Sequence, residues 1–573
     1  MKRKIAAYLL SCIMVFSLTA CTGLNINSGN VDKDSSAELA QIRNTVDAGE
    51  NNQSESDPGD TKDNTETDKE NSDRTEDVTE KVTVSGFPDY RIEDLYSKSQ
   101  SVKDQAGEDI EIVRLNYREV IIDEGEEGDK YPFHKLAEKV NKFRKDTEEA
   151  LDQDESDMRA AWDEMNPKPE ENTYFATFYN SILDGVVRAD SNVFSILRYR
   201  NDYWGGAHDG MAFSGINFDS ATGEDIGFDD MFVNTNGLEN VIADYLYANY
   251  DPDYFFAQNR EELAADVKKV IDNRELVFTI SYEGIVLYFN NYVLAPYVAG
   301  YQMVYLDASK NSKYLNQKYF ENTPSEYMIR VNSGMYYPVK FSDGYRNMQF
   351  SWAKVYNEEF GFYSDTFQKF YAFSGDFKYE EEIELSGSFI DPEVFIVRKN
   401  GKDYIYVQNH FFDGVDHLQI FEPKDTLYPL AEYSGGPSYP NSNEIRELDY
   451  YENLSFGSEL LFGETKAKIN DSGTLDLIEV YNLEKSKEYG YSFSLTKDLD
   501  VFKADKDNMP SKDKATLKKG TVISVVCTDN KSFWTVEDDK GDRYSIEINV
   551  KDNEHYLKNG DLLYEYIEGH YEY

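Results

Sequence analysis

The chain is 573 residues long and sets 59 Lys and Arg against 108 Asp and Glu, a formal net charge of −49 at pH 7. So negative a surface excludes nucleic acid and an anionic membrane face as binding partners and favours a basic partner, cations or plain solubility. With 45 Tyr and 34 Phe the chain has the aromatic content of a folded protein, and its length exceeds what one hydrophobic core holds, so two or three domains are expected.

Lys2, Arg3 and Lys4 precede an apolar run from Ile5 to Leu18, and Leu18-Thr19-Ala20-Cys21 overlaps its end. A positive segment, a short apolar segment and small residues before a cysteine form a lipoprotein signal. The run is also shorter than the roughly 20 residues that a spanning helix needs. Residues 1–21 are therefore read as signal peptide and lipobox, with diacylglycerol on Cys21. Two acyl chains, at about 0.8 kcal/mol per buried methylene, suffice for stable anchoring. The expected location is the outer face of a bacterial cytoplasmic membrane, with lipid on Cys21 as the membrane contact. Residues 22–85 lack aromatic side chains and are dominated by Asp, Glu, Asn, Ser and Thr, the composition of a disordered acidic tether. Of the three cysteines, Cys12 leaves with the signal and Cys21 carries lipid. Cys527 is left alone in a strand-like run, as a buried, inert thiol.

Asp109 to Ile122 reads as a strand, followed by the acidic loop Asp123 to Asp129. Pro132 suits a first helical turn, and Phe133, Leu136, Val140 and Phe143 recur along one helical face. Asn259 with Glu262 forms a capping pair ahead of Leu263, Val267, Val270 and Ile271. Leu276 to Ile280 and Ile285 to Phe289 are short strands about Glu283-Gly284, and Gln302 to Leu306 is another. This mixture predicts an α+β domain over residues 86–322. Beyond it the helical period fades. Val394 to Val397 and Asp403 to Val407 flank Asn400-Gly401, a pair that supplies the positive φ angles of a two-residue hairpin. Leu418 to Phe421, Leu430 to Tyr433 and Leu475 to Tyr481 continue in strands. Residues 323–490 are read as an antiparallel β domain too short for a complete propeller. In residues 491–573, Leu517 to Thr521, Ser532 to Val536, the turn Asp539 to Asp542 and the strand Arg543 to Ile548 resemble a bacterial SH3-like barrel, a type associated with cell-wall binding. The overall expectation is α+β: a mixed domain, an antiparallel all-β region and a small SH3-like barrel.

Tyr203-Trp204-Gly205-Gly206-Ala207-His208, Asn217-Phe218-Asp219 with Ser220 to Gly223, and Phe228 to Phe232 occur in that order, followed by Gly284 to Phe289 and Tyr292 to Gly300. Together these blocks resemble the extracytoplasmic domain of unknown function shared by the lysozyme-sensing anti-sigma factor RsiV and PdaC-type peptidoglycan deacetylases. The resemblance implies a ligand-binding or accessory module, with a secreted basic protein such as lysozyme, or peptidoglycan, as partner. It marks Trp204, Gly205, Gly206, His208, Asn217, Asp219, Tyr292 and Tyr297 as the candidate ligand-binding or structural motif. A sigma-binding role needs a spanning helix, and none is expected after the signal peptide. A deacetylase needs a His-x-x-x-His metal motif, and no histidine pair has that spacing.

His410 and His417 flank Asp413-Gly414-Val415-Asp416, a grouping that places imidazoles and carboxylates near one another in sequence. Zinc requires three or four convergent ligands, so no metal and no cofactor are expected. Asp505-Lys506-Asp507 opens like a calcium loop but has Pro510 where glycine belongs. Nucleophile-elbow, Walker, dinucleotide and His-Glu-x-x-His motifs are lacking, so no catalytic residue is assigned. The expected function is a non-enzymatic binding module for a secreted protein or wall component. The alternative is an envelope enzyme or accessory factor acting on peptidoglycan or another surface polymer. The Tyr-rich runs Tyr199 to Trp204 and Tyr297 to Tyr305 are read first as half-buried strand residues and second as recognition surfaces.

Overall fold

A computed structural model describes residues 84–123, 128–168, 176–357, 362–374, 380–386, 391–410, 416–456, 459–478, 480–484, 491–551 and 554–571. The signal peptide, Cys21 and the tether up to residue 83 lie outside these, as do residues 124–127 of the acidic loop and 411–415 between the two histidines. Residues Val82–Tyr573 form one compact unit.

The α+β expectation is overturned. The fold is predominantly β, with thirty strands against four α-helices among the described residues. The helical periods are real, but strands rich in charged residues hid their alternation. In β1 (Tyr90–Lys103) Glu93, Asp94, Lys98 and Lys103 break the apolar pattern of an edge strand. The stretch after residue 176 forms β3 (Phe178–Ala189) and β4 (Val193–Tyr203), and only its end, from Tyr199, is expected as strand from the sequence.

The first sheet has the order β1-β2-β3-β4-β5, with β2 (Asp109–Ile122) and β5 (Gly210–Asp219). Its β2–β3 pair is parallel, which requires a crossover, and α1 (His134–Met165) supplies it. Leu136, Val140, Leu151, Met158 and Trp162 of α1 are buried against this sheet. After α2 (Phe228–Met231) come α3 (Leu238–Asn249) and α4 (Arg260–Asp272). The predicted cap of α4 is present: Asn259 Oδ1 accepts from Glu262 N at 2.9 Å, and Gln258 N donates to Glu262 Oε2 at 3.0 Å.

The three-stranded sheet β6 (Val277–Ile280), β7 (Gly284–Phe289) and β8 (Gln302–Asp307) is covered on both faces. Ile285, Leu287 and Phe289 meet Leu246, Leu263 and Val267 of the helices. Val286 and Tyr288 join a cluster with Val187, Leu197 and Phe213 of the first sheet. Strand β5 crosses β6 so closely that a Cβ on Gly215 would overlap the Phe278 carbonyl oxygen.

Next follow β9 (Tyr327–Val331), β10 (Tyr336–Phe341), β11 (Gly344–Asn357), β12 (Phe362–Ser374), β13 (Glu380–Ser386), β14 (Glu393–Lys399), β15 (Lys402–His410), β16 (Asp416–Pro423) and β17 (Leu427–Tyr433). They form a four-stranded sheet β10-β11-β12-β13 and a five-stranded sheet β17-β16-β15-β14-β9. The β14–β15 hairpin turns at Asn400 and Gly401, with φ of 49° and 73°, as the Asn-Gly pair dictates. The five-stranded sheet is buried on both faces. Ile329, Val394, Ile396 and Val407 pack toward Tyr282 and Tyr305, while Phe395, Val397, Tyr406 and Leu418 pack toward Leu448 to Ile567. Hydrophobic packing therefore runs across residue 322 and, through Leu483 and Phe493, across residue 490. Tyr282 stacks on Tyr327 with ring centroids 3.6 Å apart. Buried Arg398 bonds Asp403 at 2.6 Å and Glu283 at 2.8 Å. The last thirteen described strands, from Gly435–Ser438 to Ile567–Tyr571, belong to one hydrogen-bonded sheet. Cys527 is buried there, and burial pushes its thiol pKa up. No described helix is long and apolar enough to cross a membrane.

Candidate binding site

The marked residues fall into two groups. His208, Tyr292 and Tyr297 meet, although the first and last are 89 positions apart in the chain. The β4–β5 turn brings in His208. Gly205 takes φ of +84°, and a Cβ there would collide with Met165 and Phe178, so glycine is required. Gly206 contributes its carbonyl, which accepts from the Tyr203 hydroxyl at 3.1 Å. Trp204 is half-buried and donates from Nε1 to Asp202 at 2.8 Å.

The facing loop, from Asn290 to Gly300, is fastened to edge strand β5 by one side chain. Asn290 Oδ1 accepts from Phe213 N at 2.8 Å, and its Nδ2 donates to Phe213 O at 3.0 Å, replacing a strand pairing by an amide. Asn291 buries both side-chain amide atoms without a hydrogen-bond partner. Tyr292 adopts φ of 69°, a backbone region unfavourable for a bulky residue, and is 53% exposed.

His208 Nδ1 lies 2.9 Å from the Asp209 carbonyl oxygen. A carbonyl only accepts, so Nδ1 carries a proton, and in the neutral ring Nε2 accepts from the Tyr292 hydroxyl at 3.1 Å. The imidazole stacks on Tyr297 at 4.4 Å and 25°. Tyr297 donates to Asp209 Oδ1 at 2.7 Å, and Tyr179 to Asp209 Oδ2 at 3.3 Å. Burial, then the bond to Asp209, pushes the Tyr297 pKa up. Burial, then the Asp209 charge, does the same for Tyr179. Both phenols therefore stay protonated donors at neutral pH. Beside the loop, Phe256 N donates to Leu294 O at 3.0 Å, and Tyr254, Phe256, Val293 and Val298 are exposed. The face thus combines aromatic rings, hydrophobic side chains and carboxylates, chemistry suited to binding.

Asn217 and Asp219 do not join this face. Asn217 is buried where β5 crosses β6: Ser195 Oγ donates to its Oδ1 at 2.6 Å, and its Nδ2 donates to Phe278 O at 3.0 Å. It also borders a groove of about 420 Å³ between α1 and β5, where Lys139 pairs with Asp225 at 2.6 Å. Asp219 Oδ1 accepts from Ala221 N and Thr222 N, both at 3.0 Å, and so shapes a turn.

The two histidines of the β15–β16 pair do not converge. His410 lies opposite Asp416 and His417 opposite Asn409, so the adjacent Asp416 and His417 point to opposite sheet faces. His410 Nδ1 contacts Asp416 at 2.8 Å and Nε2 approaches Glu393 at 3.6 Å, while His417 Nε2 contacts Glu432 at 2.7 Å. No cluster of three or more His, Cys, Asp or Glu suited to a metal occurs among the described residues.

Asp209, Tyr179, Asn290 and Phe256 escaped the sequence reading. A signal for the face was present: residues 203–210, 250–259 and 290–301 contain Tyr, Phe, Trp and Asp but no Lys or Arg.

No family model and no curated protein matches the chain. Among solved structures it is similar to a DUF3298-family protein of Bacteroides fragilis NCTC 9343, at 15% identity over 40% of this chain and 95% of that one, with a TM-score of 0.30. It is also similar to a DUF3298-family protein of Pseudomonas aeruginosa PAO1, at 12% identity over 41% of this chain and 96% of that one, with a TM-score of 0.25. DUF3298 denotes a domain of unknown function.

Proposed function

We propose that the protein is a lipid-anchored extracytoplasmic binding module that engages a basic secreted protein without altering it chemically. The observation that carries this reading is the assembly of His208, Tyr292 and Tyr297 over Asp209, beside exposed Phe256 and Val298. Tyr and Phe give contact area at low entropic cost, and a chain of net charge −49 steers cationic partners toward it. The resemblance of Tyr203 to Gly300 to the RsiV and PdaC ectodomains makes a lysozyme-type muramidase the first partner to try. The SH3-like reading of residues 491–573 adds contact with the wall as a second, weaker attachment.

The test is calorimetry of the soluble unit Val82–Tyr573 in salt of about 0.15 M, where the Debye length is about 8 Å. Lysozyme is compared with an unrelated protein of similar positive charge. The reading expects tighter binding of lysozyme, and equal affinity for both would reduce the interaction to charge alone. Anchoring is checked separately. Cys21→Ser is expected to release the protein or leave an unprocessed precursor, and a processed form of this variant still on the membrane would refute the lipid anchor.

A further inference from the structure

The chemistry of the face specifies its occupant more narrowly than charge does. The three segments that build it, residues 203–210, 250–259 and 290–301, contribute Asp209, Asp251 and Asp253 and contain no Lys or Arg, so no cation of these segments neutralises it. The Tyr292 ring is half-exposed and inclined at 31–32° to the His208 and Tyr297 rings, at centroid distances of 6.3 and 6.4 Å. Its hydroxyl is already committed to His208. What Tyr292 offers a partner is therefore its ring face. Asp209 holds two phenol donors, which leaves acceptor capacity at a carboxylate but not an empty coordination shell for a metal ion. A ring face in an acidic surround whose own segments carry no Lys or Arg selects a planar, weakly hydrated cation. Guanidinium fits that description, whereas ammonium is compact and strongly hydrated. Exposed Val293, Val298 and Phe256 around the rings supply an apolar border that a free small cation does not need and a protein surface does.

We propose that this face receives an arginine side chain of the partner protein, its guanidinium stacked on Tyr292 with Asp209 as the nearest counter-charge. The inference rests on the binding reading above and sharpens it. Tyrosine and arginine are both enriched among the few central residues that carry most of the binding energy at protein interfaces.

The experiment titrates the unit Val82–Tyr573 with two decapeptides of alternating Arg-Gly or Lys-Gly, in salt of about 0.15 M, alongside intact lysozyme. The arginine peptide is expected to bind about tenfold more tightly than the lysine peptide, and Tyr292→Gly should abolish that preference. Glycine suits the φ of 69° at this position, so the variant keeps the loop, and an unchanged urea midpoint confirms it. Asp209→Asn should lower affinity for both peptides. Equal affinity for the two peptides, or an arginine preference that survives Tyr292→Gly, overturns the guanidinium site. Lysozyme binding without an arginine preference overturns this inference alone. An arginine preference without lysozyme binding sustains the site and overturns lysozyme as the partner.

Discussion

Replacing Asn217 separates a joint of the fold from a binding contact. Asn217 is 5% exposed and Ser195 fully buried. The side-chain amide holds the Ser195 hydroxyl at 2.6 Å, the Phe278 carbonyl at 3.0 Å and Ile280 N at 3.3 Å. In Asn217→Ala the Ile280 N–H keeps Ser195 Oγ at 3.0 Å, but the Ser195 hydroxyl proton and the Phe278 carbonyl lose their Asn217 partner. Each such loss in a buried site costs about 1–3 kcal/mol, so the two together are expected to cost about 2–6 kcal/mol. Asn217→Asp should cost more at neutral pH, because a carboxylate oxygen then faces the Phe278 carbonyl. Burial raises the pKa of that new carboxyl above its unfolded value of about 3.9. The extra cost therefore shrinks on acidification, when the protonated group can again donate. Urea unfolding of Val82–Tyr573, followed by tryptophan fluorescence, reads the midpoint. An unchanged midpoint in Asn217→Ala together with lost ligand binding would refute the assignment of Asn217 to the joint.

Three further outcomes are expected. Asn291→Leu removes two buried amide atoms that have no partner and should raise stability by about 1 kcal/mol; a lower melting temperature would contradict this. Gly215→Ala forces a Cβ into the Phe278 carbonyl and should cost about 3 kcal/mol or more, read as a fall in melting temperature. The third concerns pH. Hydrogen bonds to Asp416 and Glu393 push the His410 pKa from 6.5 up to about 9. Burial alone would raise the Glu393 pKa, but His410 and Arg330 overcome it and hold the group down to about 2. The His410 contribution, on the order of 3 kcal/mol, is complete below about pH 6.5 and is lost as pH rises through 9. The Glu393 contribution is present above about pH 4.5 and is lost as pH falls through 2. His410→Gln should therefore flatten the decline in urea midpoint between about pH 6.5 and 9, and an unaltered slope would contradict the pairing.

Local signals survived into the structure where they act within a few residues. The Asn259 cap, the apolar face of α1 and the Asn400-Gly401 turn each depend on short-range geometry. Fold class depends instead on how much of the chain is strand, and there the reading failed. The buried runs Val186 to Ala189 and Val193 to Leu197 show no alternation because both faces of their sheet are covered, by α1 on one side and by the cluster of Val286 and Tyr288 on the other. Charged residues along β1 disguised its alternation as loop composition. Both errors push strand toward other classes, so the balance tilted to α+β.

The site was legible as a set of blocks but not as a geometry, because motif residues serve two ends that composition does not distinguish. Asn217 and Asp219 stand beside His208 in sequence, yet strand β5 carries them away from the turn, to the β6 crossing and to the next turn. Tyr292 meets His208 on a loop that Asn290 fastens to Phe213. That contact joins residues 77 positions apart, and no periodicity reports it. Breaking the clamp tests directly whether the placing of Tyr292 depends on it. Asn290→Ala should loosen the loop, measured as faster amide exchange at Phe213 and through residues 291–300, while β7 and β8 keep their protection. It should also weaken arginine-peptide binding toward the level of Tyr292→Gly. Retention of both protection and the arginine preference would mean that the loop is placed by its own turns, Tyr292 N to Ala295 O and Gly300 N to Tyr297 O, and not by the amide that replaces a strand.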